Sequence, residues 1–325
     1  MERVLSGMRP TGRLHLGHLK GALENWKFLE KRYECLFMIA DWHALMSEYQ
    51  KSKGISNNTK EVLIDWLSFG IDPNRAIIFC QSEIPYHPEL YLLFSIITPL
   101  PWLMRNPTYK EQIRELSNIS LETHGFLGYP VLQAADILLY KATIVPIGKD
   151  QLPHLELTRE ILRRFNHLYG KTFPIPSPLL TETPKLVGTD GRKMSKSYNN
   201  AIFISDSPSE IRKKVRMMIT DKERIHPSDP GHPDSCNVFS IWKAFSKETT
   251  GLESDCKGAK IGCVACKDNL STFLSEKLLP IREKRKELER DETGLLKILK
   301  SGRERASEIA RDTISEVRKK IGFYE

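Results

Sequence analysis

The chain has 325 residues, 40% of them hydrophobic and 28% charged, and its 49 lysines and arginines outnumber 41 aspartates and glutamates to give a formal net charge of +8. That length and composition support a sizeable core, shared between one larger and one smaller domain, while no apolar run is long enough to span a bilayer. Met1-Glu2-Arg3-Val4-Leu5-Ser6-Gly7 runs into a strand pattern instead of a basic stretch with a long apolar core, which argues against a secretory leader and for a cytoplasmic location. The positive charge suits a polyanionic partner such as nucleic acid, but an ordinary basic enzyme would carry it equally well.

Short apolar runs at Val4-Leu5, Cys35 to Ala40, Ala76 to Cys80 and Ile144 to Ile147 read as strands, each separated by enough chain for a crossover helix. The spacing predicts an α/β fold with a doubly wound, Rossmann-like parallel sheet. Ligands in such sheets sit beyond the carboxyl ends of the strands, and the loops there begin at Ser6, Asp41, Gln81 and Gly148. From Asp206-Ser207-Pro208-Ser209-Glu210, a helix start, the pattern becomes helical, and from Ile281 onward it is dense in Arg, Lys and Glu. Residues 1–205 are therefore expected to form the sheet domain and 206–325 an all-helical domain, with the chain end returning to the first. Solvated helix faces would account for any one of the late Lys and Arg residues.

After the first strand, Gly7-Met8-Arg9-Pro10-Thr11-Gly12 has the composition of a tight loop, and a helix follows from about Leu16 with Leu19, Leu23, Trp26 and Leu29 on its inner stripe. A helix N-terminus attracts phosphate through its free N–H groups and dipole. In His15-Leu16-Gly17-His18, Gly17 lets a nucleotide approach the backbone while His15 and His18 offer donors to phosphate oxygens. Either histidine alone would be an ordinary surface or core residue. Gly188 to Ser197 is a second polar, glycine-containing segment, read as a mobile loop. Its Lys193 and Lys196 would neutralise charge developing on a departing pyrophosphate, where alone the loop would pass for a solvated Lys/Ser turn. Gly170-Lys171-Thr172 imitates the end of a P-loop, but Phe165 occupies the required upstream glycine position.

Gly128 to Tyr140 reads as a helix entered through Pro130, with Tyr129, Gln133 and Asp136 on one face. Asp136 sits in apolar surroundings and needs a donor, either a ligand's indole N–H or phenol O–H, or an N–H or arginine of the protein itself. Val145 to Gln151 ends a strand in a glycine turn suited to adenine and ribose. Of six cysteines, Cys35 and Cys80 fall in predicted strands as buried small hydrophobes, whereas Cys236, Cys256, Cys263 and Cys266 are spaced C-x19-C-x6-C-x2-C. In a reducing compartment that spacing reads as four-thiolate ligation, which zinc and an iron–sulfur cluster both accept.

The words His15 to His18 and Lys193 to Ser197 together resemble the paired ATP signatures of class I aminoacyl-tRNA synthetases. Tyr129 to Tyr140, Val145 to Gln151 and Leu157-Thr158-Arg159, with Ser6 to Gly12 and Ala40 to Ala44, resemble bacterial tryptophanyl-tRNA synthetases over essentially the whole chain. The resemblance implies activation of tryptophan by Mg-ATP and transfer to tRNA(Trp), in a homodimer, with His15, His18, Lys193 and Lys196 assisting catalysis. It implies ATP contacts at Arg9 (where many relatives carry Gln), Pro10, Thr11, Gly17, His18, Lys110, Gly148, Lys149, Asp150, Leu186, Lys193, Met194, Ser195, Lys196 and Ser197. Asp136 is implied to read the indole nitrogen, with Leu5, Gly7, His43, Tyr129, Gln133, Val145 and Ile147 around the amino acid. The cysteine set is similar to that of relatives holding a [4Fe–4S] cluster, zinc being the alternative. Tyr129, Gln133 and Asp136 also resemble the tyrosyl-tRNA synthetase pattern, and an aspartate accepts from either ring, so residue chemistry leaves tryptophan and tyrosine open; the flanking motifs favour tryptophan. A relative that binds tRNA or nucleotide without charging is the reading from another class.

Overall fold

The computed structural model describes residues 2–107, 109, 123–180, 186–221, 223–226 and 228–324. Lys110, expected at the ATP site, lies outside the described residues. Strands β1 (Arg3–Met8), β2 (Glu34–Ile39), β3 (Ala76–Cys80), β4 (Ile144–Ile147) and β5 (Ser177–Leu180) form one parallel sheet in the order β3-β2-β1-β4-β5. The expected doubly wound sheet is present, and β5 extends it by a strand that the sequence pattern does not announce. That strand has four residues, none of them fully buried, and contains Pro178, which a sheet tolerates at an edge. β2 and β3, by contrast, are almost wholly buried, because helices cover both faces of a parallel sheet and select continuous apolar runs. The chain builds outward from β1 to β3 and then crosses to the other side of β1 for β4, so a crevice opens between the carboxyl ends of β1 and β4.

The helical run after β1 comprises Leu16–His18, a π-helical turn at Leu19–Leu23, and Glu24–Leu29. Its inner stripe of Leu19, Leu23, Trp26 and Leu29 is buried as expected. Trp26 stacks on Phe37 of β2 at 4.3 Å between ring centroids and meets Trp66 edge-on at 4.9 Å, fixing the run against the sheet. The helix carrying the aromatic-site residues differs from its expected form. It spans His124–Leu139, and Thr123 caps it by accepting a 3.1 Å hydrogen bond from the Phe126 N–H. Pro130 therefore lies inside the helix instead of at its entrance.

The helix start at Ser207 is as expected, with a reciprocal capping box to Glu210 opening Pro208–Met217. Helices Asn237–Phe245, Thr250–Lys257, Cys263–Lys277 and Leu279–Leu288 follow, and Leu279–Leu288 packs on the helix Ile55–Phe69 of the sheet domain. The last helix, Glu292–Ile321, returns to the sheet, where Ala306, Ala310, Ile314 and Val317 join the core with Ile77 and Phe79. Small side chains on one stripe let this helix approach closely. At Gly302 the approach is tightest, since an added Cβ would stand 1.7 Å from the Ile78 carbonyl oxygen. Among the described residues no helix is long and apolar enough to cross a membrane.

Gly302→Ala must displace either the helix or β3, and is expected to cost about 1–3 kcal/mol through overpacking. A urea titration reads it as a lower midpoint at unchanged slope; an unchanged midpoint would show that the helix crosses β3 with room to spare.

Candidate active site

A cavity of about 450 Å³ occupies the crevice, floored by Leu5 and Gly7 of β1 and by Val145 and Ile147 of β4. His43, from the helix Asp41–Glu48, and Tyr129, Gln133 and Asp136, from His124–Leu139, form its walls. All eight residues expected around the amino acid thus face one space, together with Arg9, Gly148 and His154.

Asp136, only 2% exposed, is the electrostatic centre of this wall. Its Oδ1 accepts from Gln81 Nε2 and His87 Nδ1, each at 2.7 Å, and its Oδ2 accepts from His43 Nε2 at 2.7 Å. The protein partners are two imidazoles and a carboxamide, not an arginine. Because the carboxylate only accepts, both imidazoles present N–H to it, and His87 Nε2 pairs with the Tyr140 hydroxyl at 2.7 Å. Burial pushes the Asp136 carboxyl up, but the hydrogen bonds and proximity of His43 and His87 outweigh it and bring it down to about 2. Gln81 and His87 escaped sequence reading. Gln81 opens the loop beyond β3, where ligand-facing groups were expected, but nothing local links it or His87 to an aspartate about 50 residues on. Tyr129 Oη pairs with His154 Nε2 at 3.1 Å, and His154 Nδ1 pairs with the Asn106 carboxamide at 3.1 Å. Burial draws His154 down to about 4, so it is neutral at pH 7.

The two signature words meet through backbone. Leu16 N–H donates to Ile202 O and Ile204 N–H donates to Leu14 O, both at 3.0 Å, so the segment just past the lysine word runs antiparallel to the histidine word. His15 caps the following helix. Its Nδ1 accepts from Gly17 N–H at 3.1 Å, while His18 Nδ1 accepts from His15 N–H at 3.2 Å. Burial, helped by Lys196 and Lys193, lowers His15 to about 4; burial and neighbouring His15 hold His18 well below the usual range. Two neutral rings with Nδ1 engaged as acceptor carry their protons on Nε2, as donors to an anion. Gly17 is required for this arrangement, because a Cβ there would lie 2.9 Å from His15 Nδ1 and Cε1.

The lysine word is a tied turn. Gly188 N–H donates to Arg192 O at 2.7 Å and Met194 N–H to Leu186 O at 2.9 Å, and Asn200 Oδ1 accepts from Ser195 N–H at 2.8 Å. Met194 and Leu186, both expected at ATP, have their side chains buried in the core at 4% exposure, leaving their backbone as the part able to meet a nucleotide. Lys196 Nζ donates to Gly12 O at 2.6 Å and contacts Thr11 Oγ1 at 3.3 Å, reaching across to the first loop. Burial lowers Lys196 to about 8, against the pull of Asp65 and Glu48, so it remains charged at pH 7. Lys193, Ser197, Lys149 and Asp150 are exposed, Ser195 and Thr11 half-buried and Pro10 buried. Arg9 Nη1 lies 3.3 Å from Ser47 Oγ.

Cys236, Cys256, Cys263 and Cys266 line one separate cavity in the helical region with Asp221, Arg224 and Gly231. Among the described residues no group of three or more His, Cys, Asp or Glu is arranged to hold a metal ion, so the compact four-thiolate ion site expected from the spacing is not found. A Cβ at Gly231 would lie 2.5 Å from Cys256 Sγ and 3.5 Å from Arg224 Nη1, so glycine keeps this cradle open beside a guanidinium.

A family described as tRNA synthetases class I (W and Y) matches residues 1–278. The chain is 48% identical to the tryptophan–tRNA ligase of Thermotoga maritima over 99% of both chains. It is 45% identical to that of Aquifex aeolicus over 99% of this chain and 100% of the relative. Its fold is similar to the crystal structure of tryptophanyl-tRNA synthetase from Campylobacter jejuni complexed with ADP and tryptophan, with TM-score 0.90, 34% identity, and coverage of 99% of this chain and 100% of that one.

The Asp136 carboxyl titrates below its unfolded range, so its ionised form contributes stability above about pH 4 that is lost as pH falls toward about 2. Asp136→Asn lacks this contribution. Chemical denaturation at pH 7 and near pH 3 is expected to show a stability gap between the two proteins that narrows in acid; a gap that widens would place the titrating group elsewhere.

Proposed function

The chain belongs to the class I tRNA synthetases for tryptophan and tyrosine, and from that premise we infer that it is a tryptophan–tRNA ligase, activating tryptophan with ATP and esterifying tRNA(Trp). The observation that carries this reading is the meeting, at one end of the sheet, of an aromatic-sized cavity with an ionised buried aspartate and two loops bearing phosphate-facing donors. Tryptophan is favoured over tyrosine by the identity of the relatives at 48% and 45%, both tryptophan–tRNA ligases. Asp136 Oδ2 has one protein donor where Oδ1 has two, which makes Oδ2 the oxygen to accept the indole N–H.

In this account the tryptophan carboxylate attacks the α-phosphorus of Mg-ATP, the bond to the bridging oxygen breaks, and pyrophosphate leaves with the electron pair. His15 and His18 donate from Nε2 to phosphate oxygens, and Lys193 and Lys196 meet the charge that grows on pyrophosphate. Arg9, Pro10, Thr11, Gly17, Gly148, Lys149 and Asp150, with the backbone at Leu186, Met194, Ser195 and Ser197, complete the nucleotide's surroundings. No protein nucleophile is required. The tRNA's terminal ribose hydroxyl then attacks the adenylate carbonyl and AMP departs. Residues 206–325 form the tRNA-binding helical domain, their basic helices holding phosphates, and the enzyme works in the cytoplasm. A homodimer is supported by the exposed apolar side chains Leu92 and Ile96 on the helix Tyr86–Ile97 and Leu100 and Met104 on the helix Leu100–Met104.

The four cysteines are read as the ligands of a [4Fe–4S] cluster, with zinc as the alternative. What supports this reading is that four thiols border one cavity, Gly231 leaves room, and Arg224 would set positive charge beside an anionic group. The cluster would tie the segments around Cys236 and Cys256 to the helix Cys263–Lys277, a structural role remote from adenylation.

Amino-acid-dependent exchange of pyrophosphate into ATP tests the main reading, run with tryptophan and tyrosine side by side. Exchange is expected with tryptophan, and Lys196→Ala is expected to lower kcat by about 10²–10³; exchange with tyrosine alone, or with neither, contradicts the assignment. For the cysteines, anaerobically purified protein is expected to show visible charge-transfer absorbance with iron and sulfide, lost in Cys236→Ser while exchange persists. Colourless protein containing zinc would select the alternative.

A further inference from the structure

Arg285, in the helix Leu279–Leu288, is a charged residue of a charged segment, yet its side chain is only 4% exposed. Its guanidinium is ringed by carboxylates: Nη1 pairs with Asp65 Oδ1, Nη2 with Glu61 Oε2, and Nε with Glu289 Oε1 at 2.9 Å. Arg13 Nε adds a second cation on Glu61 Oε2 at 2.9 Å. Asp65, fully buried in the helix Ile55–Phe69, uses its other oxygen, Oδ2, to accept the Leu14 N–H at 2.7 Å. Leu14 is the residue before His15, and its carbonyl accepts the Ile204 N–H that joins the two signature words. The helical region thus reaches the junction of the ATP loops through a relay of Arg285, Asp65 and Leu14, beside the direct bond from Ile219 N–H to Thr189 O at 3.1 Å.

A carboxylate buried this deeply holds its charge only with a partner. Burial pushes the Asp65 carboxyl up to about 6, with Arg285 and the Leu14 N–H pulling against it, so the guanidinium and the Leu14 N–H are the groups that favour its charged form. Sub-ångström placement of phosphate donors matters for in-line displacement. We propose that Arg285 and Asp65 are positioning residues for adenylate formation: from outside the site they hold Leu14, and through it the histidine and lysine words, in register. The proposal rests on the adenylate-forming reading of the site, which wild-type exchange activity establishes separately.

The test uses the full chain with Asp65→Asn, Arg285→Lys, Arg285→Met and the double variant Asp65→Leu/Arg285→Met, which removes the buried carboxylate together with its cation, where Arg285→Met alone leaves Asp65 without one. Pyrophosphate exchange gives kcat and the KM for ATP and for tryptophan, tryptophan binding is measured by equilibrium dialysis, and thermal denaturation reports the fold. Asp65→Asn, Arg285→Met and the double variant are expected to lose about tenfold or more in kcat, with tryptophan binding within about twofold of wild type. Arg285→Lys, which keeps the charge but not the fork, is expected to recover part of that loss. Wild-type kcat in the folded double variant would overturn the proposal, as would a loss of kcat matched by an equal loss of tryptophan binding. Active wild type with unaffected variants fails this inference alone; inactive wild type fails the function reading.

Discussion

The site depends on a short backbone join. Two hydrogen bonds between Leu14–Leu16 and Ile202–Ile204 bring together loops that the chain separates by nearly the whole sheet domain. Without them Lys193 and Lys196 would not be held opposite His15 and His18, and Lys196 would have no Gly12 carbonyl to rest on. Everything chemical about the phosphate side follows from that geometry: the capping of the helix by the imidazoles fixes their tautomers, burial keeps them neutral, and the lysine arrives charged across the gap. The sheet supplies the other half, because the crossing from β3 back to β4 opens the aromatic cavity beside the same loops.

Asp136 poses the opposite problem, a permanent charge inside apolar walls. Three donors from three different elements offset its desolvation, so the carboxylate is set in place before any ligand arrives. On the proposed reading such a site would reject a ring lacking an N–H or O–H, whereas the choice between indole and phenol would fall to cavity size and to groups the wrong ring would leave unpaired. Family membership spans both substrates, so the relatives at 48% and 45% identity, both tryptophan–tRNA ligases, are what favours tryptophan where local chemistry alone does not separate the two.

Local signals carried much of this into the sequence. Buried parallel strands read as continuous apolar runs, the Ser207 cap reads as Ser-Pro-Ser-Glu, and the eight residues expected around the amino acid lie on β1 and β4, on the helix that follows β2 and on the helix His124–Leu139. What stayed hidden is non-local. β5 is an edge strand broken by proline; the helix from His124 begins a turn before the Gly128 start that the sequence suggests, because Pro130 reads as a helix entrance; His87 finds Asp136 only in three dimensions. Arg285 is the sharpest case, since a stretch dense in Lys, Arg and Glu reads as solvated helix face, and only packing against Ile55–Phe69 shows one of its charges to be buried. The four cysteines were legible as a group from spacing, but not the arrangement of their sulfur atoms, which loops between ligands determine.

On the proposed reading, cavity and loops act as one adenylate-forming machine. Incubating the enzyme with labelled tryptophan, Mg-ATP and pyrophosphatase, followed by rapid gel filtration, measures it directly. The account predicts tryptophanyl-adenylate retained on the protein in stoichiometric amount and discharged by tRNA(Trp). Consumption of ATP with no retained adenylate, or retention only of tyrosyl-adenylate, would contradict it.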